Sequence, residues 1–403
     1  LNVHEDRERL RLRARIGMAG NLGDGFAAGI RLATGDSNTP VSANQSFGIA
    51  NQGQGGNFSK YAIWIDRAFI KYELGGKPNK NLAAVAGRFD NPFFTVSEVM
   101  WDEDLGFDGL ALQTKYEVLR GVTPFIAGGL FPIFNTDLNF SSNQPDKFES
   151  TDKWLYGAQG GIEFNIRNKV AAKFAAAWYE FRDIEGRLSD PYTPMTADDA
   201  GNTDNTRPSF AQKGNTYMAL RDIIPSVLND YGTKNQFQYF GLASPYTIAS
   251  YSGRIDLNFF EPYQISLLGD WSENQKFDQA AMDLLAVNNR GPVAEGDADG
   301  IGAFEGGGTA WSAQLQIGKG KFEKRWDWSV AVGYRYVESD AVVDAFADSD
   351  FGVAGTNHEG ITVGAAVALS PRVKLGVRWM SANEIVGPPL SADILMFDLS
   401  AKF

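Results

Sequence analysis

Apolar residues recur at every second position through most of this 403-residue chain, in runs long enough to cross a bilayer at a tilt. The first such run sets Leu10, Leu12, Ala14, Ile16 and Met18 against Arg9, Arg11, Arg13 and Arg15. The same period appears in Val170, Ala172, Phe174, Ala176 and Trp178, and in Ile361, Val363, Ala365, Val367 and Leu369. Read this way, about fifteen strands are predicted, at 8–20, 26–34, 60–74, 82–90, 109–118, 123–134, 153–165, 169–181, 246–260, 264–273, 310–318, 326–337, 358–369, 373–383 and 393–403. The expected fold class is all-β.

The connections sort by length. Short turns (21–25, 75–81, 119–122, 166–168, 261–263, 319–325, 370–372) alternate with long loops (35–59, 91–108, 135–152, 182–245, 274–309, 338–357, 384–392). A transmembrane antiparallel up-and-down β-barrel has this arrangement, with hairpins at one end and loops at the other, whereas the crossings of a Greek-key sandwich mix the two lengths. The expectation is one barrel domain over residues 1–403. In the long connection 182–245 a short helix is predicted at Met218–Ile224.

The arginines decide which face is wet. Each one turned to lipid at mid-membrane costs about 2–4 kcal/mol, so four outward would cost on the order of 8–16 kcal/mol. The register therefore sets arginines inward and leucines outward. Tyr72, Tyr116, Trp178, Trp271, Trp326 and Trp379 fall near strand ends, where aromatic girdles sit at the membrane interfaces. The chain closes with Phe397, Leu399, Ala401 and Phe403 on one face, the form of a terminal strand that serves as an insertion signal for outer-membrane barrels. Counting directions, strands 8–20 and 393–403 run the same way. Closure then asks for one more strand, expected upstream of Leu1, for a total of sixteen, with residues 1–7 in the first external loop.

Composition narrows the chemistry. With no Cys and only His4 and His358, there is no ligand set for zinc, an iron–sulfur cluster or a disulfide scaffold, and no cofactor or metal is expected. No apolar stretch approaches the roughly 20 residues of a spanning helix; Pro124–Phe134 is about the longest. Thirty-seven basic against 49 acidic residues, net −12, gives no nucleic-acid surface. The 44 glycines and 13% aromatics suit tight turns and large strand side chains. The start, Leu1-Asn2-Val3-His4-Glu5-Asp6, is polar from its second residue and is not read as a secretory leader. Nucleotide-loop, nucleophile-elbow and HExxH motifs are not found, so an enzyme is not expected.

Several ordered segments resemble a known family: Arg9-Leu10-Arg11-Leu12-Arg13-Ala14-Arg15, Gly29-Ile30-Arg31-Leu32-Ala33-Thr34-Gly35, Asp66-Arg67-Ala68-Phe69, Gly87-Arg88-Phe89-Asp90-Asn91-Pro92-Phe93, Trp101-Asp102-Glu103-Asp104-Leu105, Phe240-Gly241-Leu242-Ala243-Ser244-Pro245 and Asp348-Ser349-Asp350-Phe351-Gly352. Each is weak alone; together, in order, they resemble the "putative porin" group of Gram-negative outer-membrane proteins. The resemblance implies a sixteen-stranded barrel in the bacterial outer membrane, passive diffusion of small hydrophilic solutes or ions, and homotrimers. Outer-membrane lipid and lipopolysaccharide are the surroundings expected for it.

In such a pore, selectivity comes from the narrowest point and its charges. The inward candidates are Arg9, Arg11, Arg13, Arg15, Arg31, Arg67 and Arg88, a basic wall on neighbouring strands. Either they pair with carboxylates such as Asp66 and Asp90, or several meet the solute and favour anions; the second is expected, since seven exceed what pairing requires. Loop 91–108 becomes the third external loop, the one porins fold inward. Phe93, Phe94, Met100 and Trp101 would pin it, and Asp102, Glu103 and Asp104 would face the arginines across the eyelet, setting up a transverse field. The alternatives are a solvated acidic loop tip, a barrel plugged for an adhesive or complex-forming role, and, with His358 as its one candidate, an outer-membrane enzyme.

Overall fold

The computed structural model describes residues 6–48, 56–77, 80–135, 148–167, 169–293 and 300–403. Fifteen strands form one antiparallel sheet, each paired with its neighbours in the chain: β1 Arg15–Gly23, β2 Phe26–Ala33, β3 Trp64–Lys77, β4 Lys80–Phe89, β5 Phe107–Tyr116, β6 Val122–Phe134, β7 Lys153–Ile166, β8 Val170–Arg182, β9 Thr247–Phe260, β10 Tyr263–Asn274, β11 Thr309–Gly318, β12 Trp328–Val337, β13 His358–Ser370, β14 Val373–Glu384 and β15 Ser391–Ala401. Tight turns such as 24–25, 261–262 and 371–372 lie at one end, and long connections such as 90–106, 183–246 and 338–357 at the other. The wall is a transmembrane β-barrel of the predicted up-and-down kind. Its edge strands β1 and β15 run in the same sense, and among the described residues no backbone pairing joins them.

Register fixes the two faces. Ile16, Met18, Ile70, Leu112, Trp178, Leu267, Val363, Trp379 and Leu395 stand on one row and are exposed, as side chains that meet acyl chains must be. The expected girdle residues Tyr72, Tyr116, Trp178, Trp271, Trp326 and Trp379 are all exposed, and Trp311 and Trp328 join them. Phe397, Leu399, Ala401 and Phe403 are exposed along the edge strand as well. The well-packed core lies on the other face: Phe89, Phe93, Trp101, Phe107, Phe131, Tyr179, Ile248 and Val342 form one buried cluster in which wall residues meet inserted loops.

Two sequence expectations change. The strand predicted at 8–20 is interrupted: β1 begins at Arg15, and Arg11–Leu12 pairs separately with Gln45–Ser46. The chain leaves the β1–β2 ladder after Ala33, makes an excursion through 34–44, then returns beside the same strand, where the Phe47 N–H donates to the Leu10 carbonyl. The helix expected at Met218–Ile224 is instead a strand, Tyr217–Ala219 against Phe240–Leu242, because Leu220 bonds to Tyr239 and the Arg221 side chain is bound by Asp204 and the Phe237 carbonyl. The seven-residue helix of the long loops lies at Gln279–Leu285, capped by the Asp278 carboxylate. Of the predicted first external loop, residues 1–5 lie outside the described residues.

Candidate functional site

The charged site begins with an irregularity in β3. Between the pairs Arg31–Arg67 and Leu32–Ile65 the register slips, leaving Asp66 as an extra residue. Such a bulge re-aims side chains, and here Asp66 and Arg67 both reach the arginine row. Arg31 donates to Asp66 at 2.5 Å and to Asp90 at 3.2 Å; Arg67 donates to Asp66 and Asp90, each at 2.7 Å. Arg15 lies 3.7 Å from Asp66 and bonds Asp104 at 2.5 Å. Arg13 bonds Glu103 at 3.1 Å and Asp104 at 3.0 Å, and Arg11 sits 3.5 Å from Asp350.

Loop 91–108 is folded inside the wall and is held on two flanks. On one, Glu103 and Asp104 meet the arginines, and the Ala43 N–H donates to Asp104 at 2.9 Å. Burial pushes the Asp104 carboxyl up, but that N–H and the Arg15 and Arg13 guanidiniums outweigh it and hold the group below its ordinary value. On the other flank the contact is aromatic. Phe93 packs edge-on against Tyr179 at 5.0 Å, and Trp101 against Tyr179 and Phe107, each at 5.2 Å. Gly157 makes room: a Cβ there would lie 2.4 Å from the Phe93 ring. Gln159 completes the dock by accepting from the Phe94 N–H at 2.7 Å and donating to its carbonyl at 2.9 Å.

A second inserted loop, 338–357, was given no inward role from sequence beyond its Asp348–Gly352 share of the family resemblance, although its Ala341-Val342-Val343 and Ala345-Phe346-Ala347 segments are unusually apolar for a solvated loop. It is almost wholly buried and joins loop 91–108 directly. The Asp102 N–H donates to the Phe346 carbonyl at 2.8 Å, the Asp348 N–H to the Glu98 carbonyl at 3.1 Å, and the Ser349 N–H to Asp102 at 3.0 Å. Its acids reach the wall: Asp348 takes Arg335 at 2.5 Å, and Asp350 bridges Arg11 and Arg378. The Ser349 hydroxyl donates to the Val41 carbonyl at 2.9 Å, so three inward segments are tied together.

The predicted residues therefore divide. Asp102 does not face the arginines. It is buried between the two loops, where desolvation, with Asp348 near, lifts its pKa to about 7 against the pull of the Asp104 and Ser349 donors. Glu98, unremarked in the sequence, is pushed well above its ordinary value by burial and by Asp348, Asp102 and Glu103. Glu103 and Asp104 do meet the basic row, but in direct contact rather than across an open eyelet. Arg88 pairs opposite Ala68 and Asp108 in the ladder; its guanidinium bonds Asp108 at 2.7 Å and the Asp66 carbonyl at 3.1 Å, and it lies beside that of Arg67 around Gly106. Phe89, next in the chain, packs against Phe131. Among the described residues Arg9 alone of the seven candidates lacks a carboxylate within 4 Å. His358, the one candidate for the enzyme alternative, is buried with its ring 5.0 Å from Phe351.

Solved structures with a similar course of chain include the outer membrane channel DcaP of Acinetobacter baumannii (10% identity, 97% of this chain and 84% of that one, TM-score 0.42). Pseudomonas putida OprB in its high-pH structure is another (11%, 98% and 88%, 0.46), as is an anion-selective porin from Comamonas acidovorans (10%, 96% and 87%, 0.42). No match is found among curated protein sequences. The family model described as "putative porin" matches residues 1–403. With that match along its whole length, and a wall that is apolar outside and charged within, the chain belongs to the "putative porin" family, β-barrel channels of the bacterial outer membrane.

Proposed function

We propose that this porin passes small hydrophilic solutes passively through a constriction formed where loop 91–108 meets Arg13 and Arg15, with only a slight preference for anions. The observation that carries this is the pairing itself. The expected anion preference rested on a surplus of arginines, yet Arg11, Arg13, Arg15, Arg31 and Arg67 meet Asp66, Asp90, Glu103, Asp104 and Asp350. Both signs face the lumen: Arg13 and Arg15 keep 39% and 27% of their side-chain exposure, Asp90 and Glu103 keep 71% and 64%. Mixed charges at a narrow point favour dipolar solutes over either ion, and Arg9 leaves the small anionic tilt. Reversal potentials across a planar bilayer in a potassium chloride gradient test it. A small displacement toward the chloride potential is expected; a value close to the chloride limit would overturn the weak-selectivity reading.

The bonds linking segment 35–47 to loops 91–108 and 338–357 favour a second reading, a barrel plugged until a partner or signal releases it. Liposome swelling separates the two, since impermeability to every solute supports the plug. The same proposal includes a homotrimer, lipopolysaccharide around the external loops, and the Phe397, Leu399, Ala401 and Phe403 row as the insertion signal; these rest on the family resemblance and the exposed edge-strand row.

A further inference from the structure

Away from the arginine row, a cavity of about 150 Å³ lies between the wall and the inserted loops, at the long-loop end of β6 and β7. Its walls are mostly apolar, with Ile133, Ile184, Leu242, Val343 and Phe346 among them. One basic group reaches it: Lys153, 2% exposed. The ammonium donates to two backbone carbonyls, Thr206 at 3.0 Å and Arg207 at 2.6 Å, and stands 5.3 Å from the centre of the Phe134 ring, so among the described residues its third proton has no oxygen acceptor. Among the described residues Lys153 forms no ion pair within 4 Å; Glu185 acts on it only from a longer range, so the buried cation has no carboxylate in direct contact, an arrangement that proteins ordinarily avoid. Asp344 also lines the cavity, but it accepts from the Tyr217 hydroxyl at 3.4 Å, and burial lifts its pKa to about 7. Ser209 is exposed and marks the mouth.

We infer that this cavity is a binding site for a small apolar monocarboxylate, whose carboxylate completes Lys153 and whose hydrocarbon body fills the space enclosed by Ile133, Ile184, Leu242, Val343 and Phe346. An apolar cavity of roughly 150 Å³ is large enough for a benzene ring, which sets the size of the body. Such a ligand touches a wall strand, the 182–245 connection and loop 338–357 at once. It therefore acts on the segments that fill the lumen, without standing in the arginine row.

Benzoate, with benzyl alcohol as its uncharged counterpart, is the probe. Titrations of the full-length folded chain in detergent at pH 6, where Asp344 is mostly uncharged, should show saturable benzoate binding and much weaker binding of the alcohol. Lys153→Met, which keeps the length and removes the charge, is expected to weaken benzoate about tenfold or more while leaving the alcohol unchanged. Ser209→Trp, made at an exposed position, should block both probes with Lys153 intact, and so reports on the cavity even if the lysine variant folds poorly. Equal affinity for the two probes, benzoate binding unchanged in Lys153→Met, or no benzoate binding to the parent chain would each overturn the assignment.

Discussion

Loop 91–108 is held by two flanks of different physical character, and the contrast explains much of the molecule. At its Glu103–Asp104 end the contacts are ion pairs with Arg13 and Arg15, partly open to the water of the lumen. At its Phe93–Trp101 end they are aromatic edges packed on Tyr179, Phe107 and Phe131 in a buried cluster. Solvated ion pairs are individually weak, whereas buried rings contribute several kcal/mol each. The aromatic flank therefore supplies most of the holding energy. The charged flank sets where the loop tip lies and what a passing solute meets.

The largest expected effect comes from the aromatic side. Trp101→Ala should cost about 3–5 kcal/mol of local packing and free the loop. Single-channel recording is expected to show higher, noisier conductance, with the strand signal in circular dichroism unchanged because the wall does not depend on this ring. Conductance equal to that of the parent would mean that the loop is held elsewhere.

A smaller effect is expected from Asp104→Asn. Removing that charge leaves two half-solvated guanidiniums short of a partner, at about 1–2 kcal/mol, so the loop stays docked. The readout that moves is selectivity, since uncovering Arg13 and Arg15 should carry the reversal potential toward chloride. If conductance rises as far as in Trp101→Ala while selectivity is unaltered, the division of labour between the flanks is wrong.

The mildest effect is with pH. Asp102, lifted by burial to about 7, binds its proton more tightly when the two loops are joined than when they separate. The joined form is therefore favoured at low pH and loses that advantage as pH rises from about 4, the ordinary carboxylate value, through about 7. Glu98 shifts in the same direction, while the lowered Asp104 acts only below its ordinary value. Conductance should climb modestly between pH 5 and pH 8, and Asp102→Asn should flatten the climb. A pH-independent parent channel would show that Asp102 does not report on loop separation.

The wall was legible in the sequence because lipid imposes one rule on its outer face over the whole circumference. Period two then marks each strand from Phe26 to Ala401 within a few residues. The same period sets Arg11, Arg13, Arg15, Arg31 and Arg67 opposite the apolar row. At Arg88 and Phe89 the period alone does not decide: Gly87, at a φ of 114°, breaks the alternation, Arg88 reaches the Asp66 carbonyl, and Phe89 packs against Phe131 beneath loop 91–108. The interruption at Arg13–Ala14 was hidden because alternation runs unbroken through it, and pairing with Gln45–Ser46 depends on where a distant segment returns. Loop 338–357 carried a signal in its apolar segments, but its joining to Asp102 and Glu98 depends on residues over two hundred positions away.

The bond from Ser349 to Val41 spans 308 positions of sequence. A tie of such reach forms only after nearly all the intervening polypeptide has been placed, and its entropic cost delays it further. On that ground the interior is expected to order after the wall, and a folding chain would then show its rings and acids to solvent before the loops dock.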